Sequence, residues 1–320
     1  MIIFLESFDG YDENTLTTTG GNFDNWFVDG PSDIIISDTY GRNGQAGARL
    51  ITNSRTINSR ANVIARFSPY ERIIVGCAIR IDSTNFTTSS HDLNWITDKV
   101  IWTAYYHEVA QCSVVITPSM RLALVQGALG APLARSSFYI KENIYYYVEV
   151  DLTISNSLGA VVGRVDGAPR LSQSSIDTDS ANSGLCDGVR FGINQLGEAS
   201  GGRVIRFDHI YICEKTIPAQ NDFLGDLHIQ GLRPNVDRKI QWTPSAGTNS
   251  WDLVNDLAPD DYSTYSSSDA AGQQNLYGIA EPAVLEGSVI AMASNYYVRK
   301  SKAGEVGVRS RLTVGGTANI

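Results

Sequence analysis

Hydrophobic and polar residues alternate along much of the chain, a pattern typical of half-buried β-strands. From Ile73 to Ile81 every odd-numbered residue is hydrophobic. From Ile144 to Ile154 the even-numbered residues are hydrophobic or Tyr, and this register places Val148, Val150 and Leu152 in a core. The same signal predicts further strands at 112–116, 122–124, 161–165, 190–194 and 203–214.

Turn signals separate these strands, whereas helical periodicity is nearly absent. Asp166-Gly167 is typical of a tight hairpin turn. The one candidate helix runs from Trp251 to Leu257, with Ser250 as N-cap and Pro259 as stop. Many short strands with turns between them predict an all-β fold, a two-sheet sandwich, followed by a second, smaller β-rich domain.

The chain is long enough for two modest domains, and Pro218 marks the predicted boundary between residues 1–217 and 218–320. The polar stretch Asp260–Gly272 predicts a long loop in the second domain. No closing strand is evident before Ile320, so we expect either another subunit or further chain to cover an exposed sheet edge. The predicted strands of this domain are 226–232, 274–278, 283–295 and 307–314.

The first domain resembles the concanavalin A-like, laminin G-like jelly roll. The similarity lies in the order of four segments, and it implies that the first and last strands lie side by side. The segments are ESFDGY (6–11), YYYVEVDLTI (145–154), VVGRVDGAP (161–169) and GVRFGI (188–193) with IRFDHIYICE (205–214).

The second domain resembles a module that follows such jelly rolls in structural proteins of tailed bacteriophages, where the module has further strands beyond the position of Ile320. The resemblance implies a virion component, of the tail by preference. The matching segments are NDFLGDLHIQGLRPN (221–235), QWTPSAGTNSWDLVND (241–256), DDYSTYSSS (260–268) and YYVRKSKAGEVGVRSRL (296–312).

Charge and composition exclude several partners. The net charge of −9 and the pI of about 4.9 disfavour nucleic acid, and the short basic run at Arg299, Lys300 and Lys302 is interpreted as a solvated face. The N-terminus lacks a secretory signal and no segment is apolar enough to insert in a membrane, so we expect assembly in a bacterial cytoplasm. Cys77, Cys112, Cys186 and Cys213 are interpreted as reduced, although two disulfides stay open.

Glu149 and Asp151 alternate on one strand face, as paired glycosidase carboxylates do, but no third acid follows them. We interpret them as solvent-facing and expect no enzyme activity. The four histidines are interpreted as structural, with a distant Ser-His-Asp triad left open; they are His91, His107, His209 and His228.

Asp177, Asp179 and Asp187 are candidate calcium ligands, but their spacing favours Asx turns. A set of tyrosines suits either a recognition surface or burial under a neighbour, and the sequence leaves both open. No catalytic residue, cofactor or metal site is predicted. The tyrosines are Tyr105, Tyr106, Tyr145, Tyr147, Tyr262 and Tyr265.

Together these patterns favour a structural virion protein of a phage tail or tail fibre, acting in assembly or host attachment. A capsid decoration protein and a carbohydrate-binding receptor module are the alternatives. The expected partners are other phage structural proteins, further copies of the chain (a trimer is favoured) and a host surface glycan.

Overall fold

The computed structural model describes most of the chain as two compact units, residues 1–231 and 232–320. The described residues are 1–9, 25–29, 32–37, 39–42, 46–52, 60–82, 99–128, 130–194, 203–215, 221–247, 249–256, 263–281, 288–294, 296, 298–299 and 307–311.

Unit 1 contains two antiparallel sheets. The eight-stranded sheet has the order β13-β12-β11-β6-β15-β4-β3, with β1 also paired to β15. We call it sheet one. Its strands are β1 (Ile2–Glu6), β3 (Ser32–Ser37), β4 (Gly47–Thr52), β6 (Arg72–Asp82), β11 (Tyr145–Thr153), β12 (Gly159–Val165), β13 (Ala168–Ile176) and β15 (Arg203–Glu214).

The seven-stranded sheet, sheet two, has the order β10-β9-β8-β7-β14-β5-β2. Its strands are β2 (Asn25–Asp29), β5 (Arg60–Tyr70), β7 (Lys99–Tyr106), β8 (Val109–Ile116), β9 (Arg121–Gln126), β10 (Pro132–Tyr139) and β14 (Cys186–Asn194).

One hydrophobic cluster joins the inner faces of both sheets, which makes unit 1 a β-sandwich and confirms the predicted fold class. Val75 and Val150 enter this cluster from sheet one, while Trp102 and Leu124 enter it from sheet two, all of them buried. The register predicted for β6 and β11 is correct, since Val148, Val150 and Leu152 all lie in the core. A one-residue slip would have turned those side chains outward.

Two local features also match the sequence predictions. Asp166 and Gly167 both have positive φ, 49° and 74°, as a type I′ hairpin turn between β12 and β13 requires. The first and last strands pair, with Ile2 opposite Cys213. The N-terminal ammonium group also donates to the Glu214 carbonyl oxygen at 2.9 Å.

Unit 2 contains two small two-stranded sheets, β16 with β19 and β17 with β18. Among its described residues, Leu253 is the one buried hydrophobic side chain. The strands are β16 (Pro234–Lys239), β17 (Thr243–Pro244), β18 (Ser266–Ser267) and β19 (Leu276–Ile279), and a 3₁₀ turn spans Trp251–Leu253.

Several elements predicted for the second domain are wrong. The strand at 274–278 corresponds to β19, but the described parts of 283–295 and 307–314 contain no strand. Among the described residues 251–256 the predicted helix is only the 3₁₀ turn, and Leu257 lies outside the described residues. The Ser250 side chain makes no cap; the Asp237 carboxylate accepts the N–H groups of Ser250 and Trp251, each at 2.7 Å. That contact ties the turn to β16.

The strand predicted at 226–232 is also absent, because its backbone donors bind side chains of unit 1. Gly231 N–H donates to Asp9, and Ile229 N–H donates to the His209 ring. Leu227 in this stretch, and Phe223 and Leu224 just before it, pack on the outer face of sheet one. The segment 221–231, which we call the cover segment, therefore belongs to unit 1, beyond the boundary predicted at residue 217.

Candidate functional site

The outer face of sheet one carries the acidic pair that the sequence singled out. The prediction that Glu149 and Asp151 face solvent is wrong: both are buried, with exposures of 1% and 4%. Alternation along β11 gave the correct face, but the cover segment excludes water from it. Glu149 Oε1 accepts the Gly225 N–H at 2.8 Å, so the carboxylate holds the cover segment to the sheet.

A glycine makes the environment of Glu149 possible. Gly76 lies in β6 between Glu149 on one neighbouring strand and Tyr211 on the other. A Cβ atom on Gly76 would overlap the Tyr211 ring, so only glycine lets that ring lie across β6. The Tyr211 hydroxyl then donates to Glu149 Oε1 at 2.5 Å. Burial, with the Glu149 charge, raises the pKa of Tyr211, which keeps the hydroxyl a donor.

Asp151 is neutralised by two cations. The Arg72 guanidinium donates to both carboxylate oxygens, at 2.8 and 2.7 Å, and Lys215 Nζ donates at 2.6 Å. A paired and hydrogen-bonded carboxylate is the form in which a buried charge is tolerated. Neither acid of the pair is open to a substrate: Glu149 fixes the cover segment, and Asp151 ties β11 to the start of β6 and to Lys215, the residue after β15.

A cleft elsewhere on unit 1 holds a more unusual group of side chains. A β-bulge in β15 sets His209 and Ile210 opposite the single residue Cys77 of β6. His209 takes a φ of +47°, a left-handed conformation that is uncommon for a residue other than glycine. The cleft has a volume of about 170 Å³ and is lined by Arg42, His209, Asp226, Leu227 and His228.

Hydrogen bonds within β15, from Tyr147 of β11 and from Arg42 hold the bulge in place. The two Asp208 carboxyl oxygens accept the N–H groups of Arg42 at 2.8 Å and His209 at 2.7 Å. The Tyr147 hydroxyl donates to the His209 carbonyl at 3.0 Å. The His209 and His228 rings meet edge to face, with centroids 4.9 Å apart. Arg42 forms an ion pair with Asp226 at the rim.

Burial shifts two ionisations at the bulge in opposite directions. It raises the pKa of Asp208 to about 8, although the N–H groups of Arg42 and His209 oppose that shift. Burial lowers the pKa of His209 to about 4, helped by the positive charges of His228 and Arg42. Between pH 4 and pH 8 the Asp208 carboxyl is protonated and the His209 imidazole is neutral, so these two buried groups carry no charge.

These shifts predict how the stability of unit 1 depends on pH. Between pH 4 and pH 6.5 the two linkages oppose each other, because folding binds a proton at Asp208 and releases one from His209. From pH 6.5 to 8 only Asp208 acts, and its raised pKa makes stability fall as pH rises. The loss amounts to at most about 2 kcal/mol.

Asp208→Asn should remove this slope, because asparagine stays neutral throughout. Urea unfolding midpoints of parent and variant between pH 6.5 and pH 8.5 provide the measurement. Parallel curves for the two proteins would show that Asp208 is already ionised in the folded state at pH 6.5.

The remaining predicted site residues do not converge. His107 is exposed and its backbone N–H donates to Asp187, while His228 lies outside any strand. Asp177 Oδ1 accepts the N–H of Asp179 at 3.0 Å, which is the Asx-turn bond that the sequence predicts. The Asp179 carboxylate accepts the N–H groups of Ser183 and Gly184 in the same loop. In the described part of the chain no cluster of three or more His, Cys, Asp or Glu is placed to hold a metal ion. The positions outside the described residues are His91, Tyr262, Lys300 and Lys302.

The tyrosines divide between burial and exposure. Tyr147 is 1% exposed, and the Tyr145 hydroxyl donates to the Tyr40 carbonyl. Tyr105 packs beneath the Arg190 guanidinium, whereas Tyr265 in unit 2 is exposed. The tyrosines therefore form no single recognition surface. All four cysteines are free and buried.

Sequence analysis missed Arg42, Asp208 and Asp226, yet β15 carried a signal. Its inward residues are odd-numbered up to Phe207 and even-numbered from Ile210 onwards. This change of phase at Asp208-His209 marks the bulge, because one extra residue reverses the alternation. Arg42 and Asp226 come from distant segments, so no spacing rule connects them to β15.

Exposed hydrophobic side chains are concentrated in unit 2. Within the described residues, exposed large hydrophobics of unit 1 are Met1, Val109, Tyr139, Ile144 and Leu158. Those of unit 2, the apolar surface, come from a much shorter stretch of chain and are Val236, Ile240, Val254, Tyr265, Ile279, Val289, Ile290, Met292, Tyr296 and Val298.

No family model and no curated protein matches the chain. Solved structures resemble it in fold. An endo-β-1,4-glucuronan lyase from Trichoderma reesei aligns with a TM-score of 0.49 at 12% identity, covering 67% of this chain and 96% of the lyase. Alginate lyase Aly36B aligns with a TM-score of 0.44 at 15% identity, covering 66% of this chain and 96% of the lyase. The catalytic domain of a glycoside hydrolase family 131 protein from Coprinopsis cinerea aligns with a TM-score of 0.44 at 13% identity, covering 66% of this chain and 91% of that domain.

The expectation that the chain is not an enzyme is corrected by these comparisons, since the structures that share its sandwich include two lyases and a glycoside hydrolase catalytic domain. The missing third acid after Asp151 was the wrong criterion, because Glu149 and Asp151 are buried and say nothing about chemistry elsewhere on the fold. At these identities the likeness extends to the fold alone.

No helix among the described residues is long and apolar enough to cross a membrane.

Proposed function

We propose that the chain is a structural subunit of a tailed-bacteriophage virion, located in the tail or a tail fibre, where unit 2 joins copies of the chain. The observation that carries the proposal is the apolar surface of unit 2, set against a single buried hydrophobic residue in its described part. A small unit with so little core gains its stability from association. A neighbouring subunit covers exposed hydrophobic side chains and strand edges.

The sequence resemblance of residues 221–312 to a phage virion module supports the same proposal. From that resemblance we expect a trimer, because tail fibres and spikes are commonly trimeric. We also expect a particle that is assembled inside a bacterial host. Unit 1 would face outward and contact a host surface glycan. A capsid decoration protein has the same need for oligomerisation, so the position within the particle separates the two.

Light scattering on the purified full-length chain tests the association. We expect a mass three times the monomer mass of 34.8 kDa. Val289→Asp, at a side chain 79% exposed in unit 2, should reduce that mass because it places a charge in a buried interface. Leu158→Asp is the matched control, since Leu158 is 76% exposed in unit 1 and its charge would stay in water.

A parent that is monomeric throughout would contradict the proposal. So would an assembly that Leu158→Asp dissociates and Val289→Asp leaves intact, because the interface would then belong to unit 1.

A further inference from the structure

We propose that the cleft lined by Arg42, His209, Asp226, Leu227 and His228 binds one uncharged sugar residue through its hydroxyl groups. The inference deepens the host-attachment role proposed above and rests on it for its biological meaning. It names the site on unit 1 and the chemical class of the ligand. Four features of the cleft lead to it.

The first feature is a buried hydrogen-bonding atom without a partner. His209 is 1% exposed, and among the described residues nothing pairs with its Nε2 atom. Nδ1 receives the Ile229 N–H at 3.4 Å and lies 3.2 Å from Oδ1 of Asp208, whose carboxyl is protonated near neutral pH and can donate to it, so we assign the proton of the neutral ring to Nε2. A buried N–H without an acceptor is costly and uncommon in native proteins. A ligand oxygen in the cleft would satisfy it.

The second feature is a matched donor and acceptor at the rim. Arg42 donates and Asp226 accepts, and their side chains are 26% and 44% exposed, so a ligand can reach both. A sugar hydroxyl donates and accepts at once, and adjacent hydroxyls can therefore bond to the guanidinium and the carboxylate together. An anion would instead meet the negative charge of Asp226.

The third feature is size and shape. The cleft is small, with a volume of about 170 Å³, below the roughly 300–1,000 Å³ of pockets that take drug-sized ligands, so its size favours a ligand no larger than a single sugar ring. Leu227 and the His228 ring give it a partly apolar wall, against which the C–H face of a sugar can pack. The net charge of −9 on the chain further disfavours polyanionic ligands.

The fourth feature is the strained backbone that presents His209. Its φ of +47° persists because Asp208 binds its N–H and Tyr147 binds its carbonyl. Strained residues held by several strands cluster at ligand sites, where the strain serves positioning. Here the strained backbone of the bulge places the buried His209 imidazole in the lining of the cleft.

Saturation-transfer difference NMR on the full-length chain tests the proposal. The probes are glucose, galactose, mannose and N-acetylglucosamine, with glucuronate and inorganic phosphate as anionic probes. We expect transfer to at least one neutral sugar and none to the anions. Asp226→Ala should weaken neutral-sugar binding about tenfold or more, because it removes the charged acceptor. It should also allow glucuronate to bind the freed Arg42.

Glu108→Ala is the matched control, since it removes a carboxylate that pairs with Arg66 and Arg190 of sheet two, none of which lines the cleft, and it should leave binding unchanged. His209→Phe keeps an aromatic ring but removes the Nε2–H donor, and it should abolish binding while the circular dichroism spectrum stays that of the parent. If His209→Phe does not fold, Asp226→Ala alone decides.

Absence of transfer from every neutral sugar would overturn the assignment, as would binding that survives Asp226→Ala. Either outcome leaves the mass and the particle location of the chain unaffected, so it is distinguishable from failure of the proposed virion role.

Discussion

Val150→Asp should prevent unit 1 from folding. Val150 is fully buried in the cluster that joins the two sheets, and its neighbours across β6 and β12 are Val75 and Gly163, so an aspartate there finds no cation or donor. A buried, unpaired charge costs about 4 kcal/mol or more, a large part of the stability of a typical domain. The expected result is loss of the cooperative unfolding transition in urea, followed by circular dichroism.

Gln173→Asp provides the control for this prediction. Gln173 lies within β13, at an exposed position, so the same new charge in a strand stays hydrated. We expect a transition close to that of the parent. A Val150→Asp protein that unfolds like the parent would mean that β11 is shifted by one residue from the register described here.

Gly76→Ala should destabilise unit 1 nearly as strongly, although it adds only one methyl group. The new Cβ overlaps the Tyr211 ring, which is fully buried and has no free space to enter. Moving the ring breaks its hydrogen bond to Glu149 and leaves a buried carboxylate short of a donor. Overpacking together with the lost charge-assisted bond amounts to about 3–5 kcal/mol.

A double-mutant cycle with Tyr211→Leu isolates this overlap. In the double variant the ring is gone, so Gly76→Ala should cost much less than it does in the parent. Gly188→Ala is the comparison: a Cβ there would lie 3.3 Å from the Ala65 carbonyl oxygen, a tight contact that needs a small shift, whereas at Gly76 it would overlap the Tyr211 ring, so Gly188→Ala should cost less. Equal costs for Gly76→Ala with and without Tyr211 would contradict the packing of the ring across β6.

The strands of unit 1 could be predicted because their hydrophobic pattern matches their burial. β6 and β11 are flanked by strands on both sides and have one face in the core, so alternation fixes which residues turn inward. The turn at Asp166-Gly167 was equally local, since both residues tolerate positive φ. In these places the conformation and burial of each residue follow from its immediate neighbours in sequence.

The candidate sites could not be predicted in this way, because they depend on contacts between distant segments. Glu149 looks solvent-facing from β11 alone and is buried only because Gly225 and its neighbours cover it. Gly76 looks like an ordinary strand glycine until Tyr211 lies across it. In unit 2 the hydrophobic residues near Val289 were predicted to form a strand, yet Val289, Ile290 and Met292 are exposed.

The most direct test of the virion role is immunogold labelling of intact, purified phage particles with antibodies against this chain, viewed by electron microscopy. Antibodies against unit 1 are the best choice, because the proposed arrangement leaves that unit accessible while unit 2 is buried between copies. If the virion role is correct, we expect gold at the tail or its fibres, in particles washed free of lysate protein. Particles that carry no label, with the chain found only in the soluble fraction of the lysate, would contradict it.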